Sequence, residues 1–287
     1  MAENLKEIRR RIRSVEATQK ITSAMKMVAA AKLRRAQTRA EAGRPYSDAI
    51  RDVLRTLASQ SGHASSPLLE RREVRRVGYV VITGDRGLSG PYNSSVIRAL
   101  HADEGQGGVA APQLVIVGRK GVDHFRRRSY DIRTTFVNIG DTPGYALASE
   151  IGKVAVDAFV EAEVDEVRLV YTRFVTAMTQ RPVVDTLLPI SPPEALEEET
   201  TGSAYLFEPD EESVLDLLLP TYVGSLVYAA LLESKASEQG ARMTAMDSAT
   251  RNAGDLIRSL VLLRNRARQA AITKEIAEIV GGAAALE

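Results

Sequence analysis

The 287-residue sequence contains no cysteine and no tryptophan, and only five phenylalanines and three histidines. The absence of cysteine excludes a disulfide scaffold, a thiol nucleophile and every cysteine-ligated zinc or iron–sulfur site. The histidines, His63, His101 and His124, are scattered and lie beside no cluster of carboxylates. A two-histidine metal site and a Ser-His-Asp triad are therefore not expected. We predict no metal site and no catalytic residues.

The net charge is also close to zero, because 38 basic residues nearly balance 37 acidic ones and give a formal net charge of +1. This balance does not suggest a nucleic-acid-binding protein. The first forty residues depart from it, with eleven Lys and Arg against three Glu and a local charge of +8. A basic helix can bind DNA, but no aromatic residues accompany these charges. We interpret the region as a face for an acidic protein surface and predict no nucleic-acid partner.

The sequence also lacks a long hydrophobic run. The longest uncharged run is Leu217–Leu232, which contains Pro220 and Gly224. It is shorter than the roughly 20 apolar residues that span a bilayer, so we interpret it as a buried helix. The charged N-terminus has no apolar segment of the signal-peptide kind. We expect a soluble, intracellular chain that can still dock on a membrane complex.

Both ends of the chain carry helical heptad patterns, over residues 1–59 and 211–287. Seam positions in the two segments recur at alternating spacings of three and four, which predicts coiled-coil helices. The N-terminal seam comprises Ile8, Ile12, Val15, Gln19, Thr22, Lys26, Ala29, Leu33, Ala36 and Ala40, beside a second apolar stripe of Ile21, Met25 and Val28. The C-terminal seam comprises Met246, Ala249, Ala253, Leu256, Leu260, Leu263, Ala267 and Ala270. We predict that the two helices pair antiparallel, and that the longer C-terminal helix projects beyond its partner.

Residues 73–191 alternate between strand and helix patterns, which predicts a Rossmann-like α/β domain with a mostly parallel sheet. The last two strands should form a hairpin. The predicted strands are Val77–Thr83, Gln113–Gly118, Ile132–Val137, Val167–Phe174 and Val183–Leu188, and the predicted helices are Asn93–Asp103, Lys120–Arg127 and Tyr145–Glu161. Residues 192–210 lie in an acidic, proline-containing stretch without Lys or Arg, and we interpret them as an exposed connector.

A glycine-rich turn, Thr83–Gly90, follows the first predicted strand and precedes a helix, where phosphate-binding loops lie. Its glycines are spaced G-x-x-G-x-x-G, and the lysine of a P-loop is missing. We therefore interpret it as a tight structural turn held by Asp85 and Arg86, and predict no cofactor. Three function classes remain: a helical interaction protein, a cofactor-binding α/β enzyme with unusual arms, and a basic-helix binder. The first is favoured because the predicted rods take up nearly half of the chain.

Several segments together resemble one known family. They are Arg11–Val15 and Thr18–Lys32 near the N-terminus, the turn Thr83–Asn93, and Ala236–Met246, Arg264–Ile276 and Glu278–Ala283 near the C-terminus. Within the turn, Gly84 stands where the family usually has Ser, and Ser89 where it often has Cys. In these segments and in total length the chain is similar to the γ subunits of bacterial F-type ATP synthases.

This resemblance implies a non-catalytic central-stalk rotor subunit. Such a subunit couples ion-driven rotation of the membrane c-ring to conformational cycling of the catalytic β subunits, in ATP synthesis and in reversible ATP hydrolysis. The implied partners are the α and β subunits of an α3β3 hexamer, the ε subunit and the c-ring of Fo. The implied location is peripheral, at the cytoplasmic face of the cell membrane.

The resemblance also implies contact residues at matching positions of this sequence. Those implied to contact the β subunit are Met25, Lys26, Arg268, Gln269 and Thr273. Tyr205 and Glu208, at the end of the acidic connector, are implied to contact the c-ring or the ε subunit. Some relatives carry Glu at the position of Lys26, so an attractive contact with an acidic β loop would replace a repulsive one here.

Overall fold

The computed structural model describes residues 5–60, 66–107, 110–191 and 211–284. The predicted connector 192–210, with Tyr205 and Glu208, lies outside these residues. The elements in chain order are α1 (Leu5–Gln60), β1 (Arg76–Ile82), α2 (Tyr92–Gly107), β2 (Ala110–Val117), α3 (Arg119–Phe125), β3 (Asp131–Phe136), α4 (Tyr145–Val160), β4 (Glu166–Phe174), β5 (Gln180–Leu188) and α5 (Glu211–Ala284).

The chain divides into two compact units. One comprises Met1–Ala29 with Met243–Glu287, and the other comprises Ala30–Arg242. Each long helix therefore contributes residues to both units. The segment limits drawn from the sequence stay a prediction.

The larger unit contains a five-stranded sheet in the order β3-β2-β1-β4-β5. Strands β3, β2, β1 and β4 are parallel, and β5 runs antiparallel to β4. Val80 lies at the centre of the sheet, with Val115 of β2 on one side and Leu169 of β4 on the other. The predicted Rossmann-like sheet and its terminal hairpin are confirmed.

Helices cover both faces of this sheet. Odd-numbered residues of β1, such as Val77 and Val81, pack with residues of α2 and α3, including Leu100 and Phe125. Even-numbered residues such as Val80 pack on the other face with α4 and the first part of α5. A strand buried on both faces must be apolar at nearly every position, which accounts for the unbroken apolar run of β1.

The uncharged run Leu217–Leu232 lies inside α5. Leu219, Val223 and Leu231 of this run are at most 1% exposed and belong to the core that packs on the sheet. By length and composition, one helical stretch among the described residues, Ser213–Gly282, is apolar enough to cross a membrane, and half of its qualifying window is buried inside the protein.

The smaller unit is an antiparallel helix pair. Ile8 and Ile12 of α1 cluster with Leu260 of α5. Further along α1, the side-chain amide of Gln19 donates to the carbonyl oxygen of Thr250 at 3.4 Å. Partner numbers thus fall along α5 as they rise along α1, so the predicted antiparallel pairing is confirmed.

The N-terminal seam matches the prediction at all positions but one. Its residues are buried or half-buried from Ile8 to Ala40, except Lys26, whose side chain is 46% exposed. A lysine can bury its aliphatic stem and keep its ammonium group at the surface. In the second apolar stripe, Met25 is half-buried, whereas Ile21 and Val28 are exposed.

The C-terminal seam is correct at five of its eight positions and displaced by one residue at the other three. Met246, Ala249, Ala253, Leu260 and Ala267 are buried or half-buried as predicted, but Leu256, Leu263 and Ala270 are exposed. In place of these three, the seam contains Ile257, Arg264 and Ala271, all half-buried. The prediction chose the more leucine-rich of two neighbouring stripes, and α1 packs against the other one.

Replacing Leu260 with Asp tests this register. The side chain is 8% exposed, so a carboxylate there would be buried among Ile8 and Ile12, at a cost of about 3–5 kcal/mol. Leu260→Ala should cost about 2–4 kcal/mol. Denaturant unfolding of the full chain, followed by circular dichroism, measures both.

Leu263→Asp is the matched control, because Leu263 is 37% exposed and one turn away. It should lower the free energy of unfolding by only about 1 kcal/mol, mainly because Asp is a weaker helix former than Leu. Equal losses for Leu260→Asp and Leu263→Asp would mean that the register is wrong.

A second stability prediction concerns the turn between β2 and α3. Gly118 has φ of +96°, and a Cβ there would lie 2.2 Å from the carbonyl oxygen of Thr83. Gly118→Ala should therefore lower the free energy of unfolding by about 3 kcal/mol or more, through backbone strain and overpacking. Gly87→Ala is the control, because its Cβ would meet open space. A loss below about 1 kcal/mol for Gly118→Ala would contradict the close approach of this turn to Thr83.

Candidate functional site

A polar ladder crosses the seam of the helix pair. The hydroxyl of Thr250 donates to that of Thr22 at 2.8 Å. Thr22 lies one turn of α1 after Gln19, which bonds to the carbonyl oxygen of the same Thr250. The ammonium of Lys26 lies 2.6 Å from a carboxylate oxygen of Asp247. Polar pairs inside a coiled-coil seam fix its register at a cost in stability. This part of the pair is thus specified by geometry more than by apolar burial.

Asp247 receives a second cation from its own helix, since a guanidinium nitrogen of Arg251 lies 3.1 Å from its other carboxylate oxygen. The hydrogen bond from Lys26 is the main cause that lowers the pKa of Asp247 below its usual value, and the charges of Arg251 and Lys26 add to it. The charge of Lys26 is therefore already compensated within the chain.

Exposed apolar residues flank this ladder on both helices. Ile21, Met27 and Val28 of α1 are more than half exposed, as is Leu262 of α5. Leu256 is 47% exposed. Large exposed apolar surface on a folded protein marks an interaction site. Met25 and Lys26, both predicted contact residues, lie within this stretch of α1.

The other predicted contact residues lie further along α5. Arg268, Gln269 and Thr273 are all exposed, and the hydroxyl of Thr273 donates to the carbonyl oxygen of Gln269 at 3.0 Å. Exposed apolar residues accompany them: Ile272, Ile276, Ile279 and Val280. A rise of 1.5 Å per residue separates Arg268 from Asp247 by about 30 Å along the helix. The residues predicted to contact β therefore lie in two separate groups, one with Met25 and Lys26 and the other with Arg268, Gln269 and Thr273.

Asp85 holds the glycine-rich turn by bonds to backbone amides. Its carboxylate accepts from the amides of Arg119, Asn138 and Ile139 at 2.9 to 3.0 Å. These bonds join the turn after β1 to the segments that follow β2 and β3. The structural role predicted for Asp85 fits this geometry. The same role for Arg86 stays a prediction.

The side chain of Asn93 closes the turn from the other end, since its Oδ1 accepts from the amide of Gly84 at 2.8 Å. On its outer side Gly84 faces Glu238 of α5 and not solvent. A Cβ added at Gly84 would lie 3.1 Å from Oε1 of Glu238. The nearby Tyr92 is 4% exposed, and its burial, together with the charge of Glu238, raises the pKa of its phenol.

Sequence reasoning missed the charged residues of α5 at this point, which are Lys235, Glu238 and Arg242. All three side chains are at most 11% exposed. The signal was present in the sequence, because three charges at i, i+3 and i+7 share one helical face in a stretch of small residues. The sequence-based prediction included Glu238 and Arg242 only within Ala236–Met246, one of the segments that resemble the family, and gave them no role of their own.

A family model described as ATP synthase matches residues 4–286. The ATP synthase gamma chain of Desulforamulus reducens is 55% identical over 284 residues, covering 98% of this chain and 99% of the relative. The chain belongs to the ATP synthase gamma-chain family. The gamma chain of Heliobacterium modesticaldum is 51% identical over 290 residues, with 98% and 99% coverage.

Solved structures agree. A chain of the central stalk and c-ring structure of Tetrahymena thermophila mitochondrial ATP synthase is 31% identical, with a TM-score of 0.63, and the match covers 80% of this chain and 99% of that one. A chain of the Euglena gracilis enzyme, 20% identical with a TM-score of 0.70 over 98% and 94%, shares the fold. The family, fold and function predicted for an ATP synthase gamma chain are confirmed.

The ion pair of Lys26 and Asp247 yields a prediction on pH dependence for this chain. A lowered pKa means that Asp247 contributes stability above its ordinary pKa of 3.8, and that this contribution is lost as pH falls below that value. In Lys26→Met, the pKa of Asp247 should rise toward 3.8, which an NMR titration of its carboxyl carbon measures. Lys20→Met, at an exposed position of the same helix, should leave it unchanged. An unshifted Asp247 in Lys26→Met would contradict the pairing.

Proposed function

We propose that this chain is a non-catalytic shaft, which transmits rotation between the c-ring of Fo and the catalytic β subunits of F1. The observation that carries the proposal is the antiparallel helix pair, with a polar ladder inside and exposed apolar residues outside. A seam fixed by polar pairs keeps the two helices in one register. The exposed apolar residues then offer an asymmetric surface to surrounding subunits.

The non-catalytic role is supported by the surroundings of the glycine-rich turn Thr83–Gly90, where a nucleotide would be expected to bind. The space beside Gly84 of the glycine-rich turn is taken by the carboxylate of Glu238 from the same chain, so a phosphate has no room there. Nucleotide chemistry on this proposal belongs to the β subunits.

The proposed partners follow from the charge and position of the exposed residues. The α3β3 hexamer surrounds the helix pair, with Met25 and Lys26 against an acidic β loop, and Arg268, Gln269 and Thr273 against a second one. The pairing of Lys26 with Asp247 weakens its attraction for the acidic loop, which favours low friction. The ε subunit and c-ring meet the α/β unit and the connector that carries Tyr205 and Glu208. The chain is then peripheral, at the cytoplasmic face of the cell membrane.

Reconstitution tests this function directly. The purified chain should bind no ATP at micromolar affinity by calorimetry. It should assemble with its α and β subunits into a complex that hydrolyses ATP. A bead fixed to the α/β unit of the chain should rotate in one direction as ATP is hydrolysed. Micromolar ATP binding by the chain alone, or hydrolysis without rotation, would overturn the proposal.

Substitutions far along α5 test the second β contact. Gln269→Ala and Thr273→Ala remove exposed polar groups, so the stability of the isolated chain should change by about 0.5 kcal/mol or less. ATP hydrolysis by the assembled complex should fall several-fold if these groups hydrogen-bond to β. Arg266→Ala is the control at a neighbouring exposed position. If complexes with Gln269→Ala and Thr273→Ala combined hydrolyse ATP as fast as the Arg266→Ala control, Gln269 and Thr273 do not contact β.

A further inference from the structure

A cluster of titratable and aromatic side chains lies at one end of the sheet, and the proposed function does not use it. This histidine cluster comprises His101 and Glu104 of α2, His124 and Phe125 of α3, and Tyr130, which precedes β3. The ring centroids of His101 and His124 are 5.8 Å apart, and those of His124 and Phe125 are 4.9 Å apart. Because β3 is the end strand of the sheet, the cluster joins two helices to the outer edge of the α/β unit.

One carboxylate oxygen of Glu104 holds two neighbours. Its Oε2 accepts from the hydroxyl of Tyr130 at 3.1 Å and lies 3.0 Å from Nδ1 of His101. Burial, together with the charge of Glu104, raises the pKa of Tyr130 to about 12, so the phenol keeps its proton. Since a carboxylate oxygen only accepts, Nδ1 of His101 carries a proton and donates it to this bond. Protonation of His101 adds a proton at Nε2 and therefore leaves the bond intact.

The second histidine is bonded in the opposite sense. Nη1 of Arg128 lies 3.3 Å from Nδ1 of His124 and donates to the carbonyl oxygen of His124 at 3.0 Å. A guanidinium has donors and no acceptor, so Nδ1 of His124 accepts, and the proton of the neutral ring lies on Nε2. Protonation of His124 would place an N–H group against the guanidinium. The bond from Arg128 to the ring is therefore possible only while His124 is neutral.

Two buried atoms of the histidine cluster are left over. Nε2 of His124 and Oε1 of Glu104 are buried, and neither has a hydrogen-bond partner among the residues that the structure describes. The first atom is a donor and the second is an acceptor, so the two are complementary. An imidazolium would be attracted to the carboxylate more strongly than a neutral ring, because charge-assisted hydrogen bonds are roughly twice as strong as neutral ones.

The charged groups around His124 disfavour its protonation in the position that it occupies. Arg128 faces the ring from the turn after α3, and His101 and Glu104 lie across from it on α2. Burial lowers the pKa of His124, and the charges of Arg128 and His101 lower it further. A lowered pKa means that the arrangement is stable near neutral pH and loses stability as pH falls below the ordinary value of 6.5. Movement of the protonated ring away from Arg128 would relieve this loss.

We propose that His124 is a pH-sensitive switch, which accepts from Arg128 in its neutral form and turns to Oε1 of Glu104 on α2 as an imidazolium. This inference depends on the histidine cluster alone and not on the proposed function. The turn that the switch releases contains three exposed arginines, Arg126, Arg127 and Arg128. Acid would therefore change the position of a basic surface at the end of the sheet, and with it the attraction of this edge for acidic partners.

Nitrogen NMR of the full chain tests the exchange of partners. At neutral pH, Nδ1 of His124 should have the chemical shift of an unprotonated acceptor. Arg128→Met should raise the pKa of His124, because a positive charge is removed. Glu104→Gln should lower this pKa, because the imidazolium loses its anionic acceptor.

Asp123→Asn is the matched control, since Asp123 is an exposed carboxylate next to His124 in the chain. It should lower the pKa of His124 less than Glu104→Gln does. Equal lowering by the two substitutions, or none by Glu104→Gln, would mean that Glu104 does not receive the imidazolium. A proton on Nδ1 at neutral pH would overturn the bond from Arg128.

Hydrogen exchange measures the release of the turn. The amide of Arg126 bonds to the carbonyl oxygen of Val122 at the end of α3. Its protection factor, which is corrected for the intrinsic exchange rate, should fall about fivefold or more between about pH 7.5 and about pH 5. The fall should persist in His101→Gln and disappear in His124→Phe, which keeps an aromatic ring but cannot be protonated. Persistence in His124→Phe, or disappearance in His101→Gln, would overturn the assignment of the switch to His124.

Discussion

Burial of one face of α5 against the parallel sheet is the interaction on which the rest of the larger unit depends. Residues such as Leu219, Val223, Val227 and Leu231 are at most 1% exposed there. Full burial of each such side chain contributes roughly 1.5–3 kcal/mol, so four of them contribute on the order of 6–12 kcal/mol, which equals the typical net stability of a domain. Helical stability in proteins comes mainly from such packing, and it lets α5 contain Pro220 and still continue as one helix.

The smaller unit is held differently, because its seam contains few large apolar residues. Ile8, Ile12 and Leu260 form one small cluster, and the ladder from Gln19 to Lys26 is polar. Hydrogen bonds that exchange protein for water partners each contribute only about 0.5–1.5 kcal/mol. The pairing is thus specific in register but modest in apolar burial. On the proposed function the helix pair lies inside a ring of other subunits and gains further burial from them, so it needs less of its own.

The fold could be predicted because it depends on local apolar periodicity. The predicted strands and helices of the α/β unit agree with the structure to within a few residues, and the parallel order follows from their alternation. The seam of α5 was only half predictable. Leu256 and Leu263 are as apolar as Leu260, and only the packing against α1 decides which of them is buried. The placement of Glu238 against Gly84 could not be predicted at all, because it joins residues some 150 positions apart without any pairing pattern.

The exposed leucines and the basic first helix have one physical explanation. A chain that must present apolar surface to partners carries more apolar positions than its own seam can bury, and sequence periodicity cannot separate the two sets. Charge follows the same logic. Lys26 and Lys32 are paired within the chain, with Asp247 at 2.6 Å and Asp141 at 2.8 Å, whereas Arg9, Arg10 and Arg13 are exposed. Internal acids compensate Lys26 at the ladder and Lys32 beside the loop between β3 and α4, and the remaining positive charge near the N-terminus favours acidic surfaces on partner proteins.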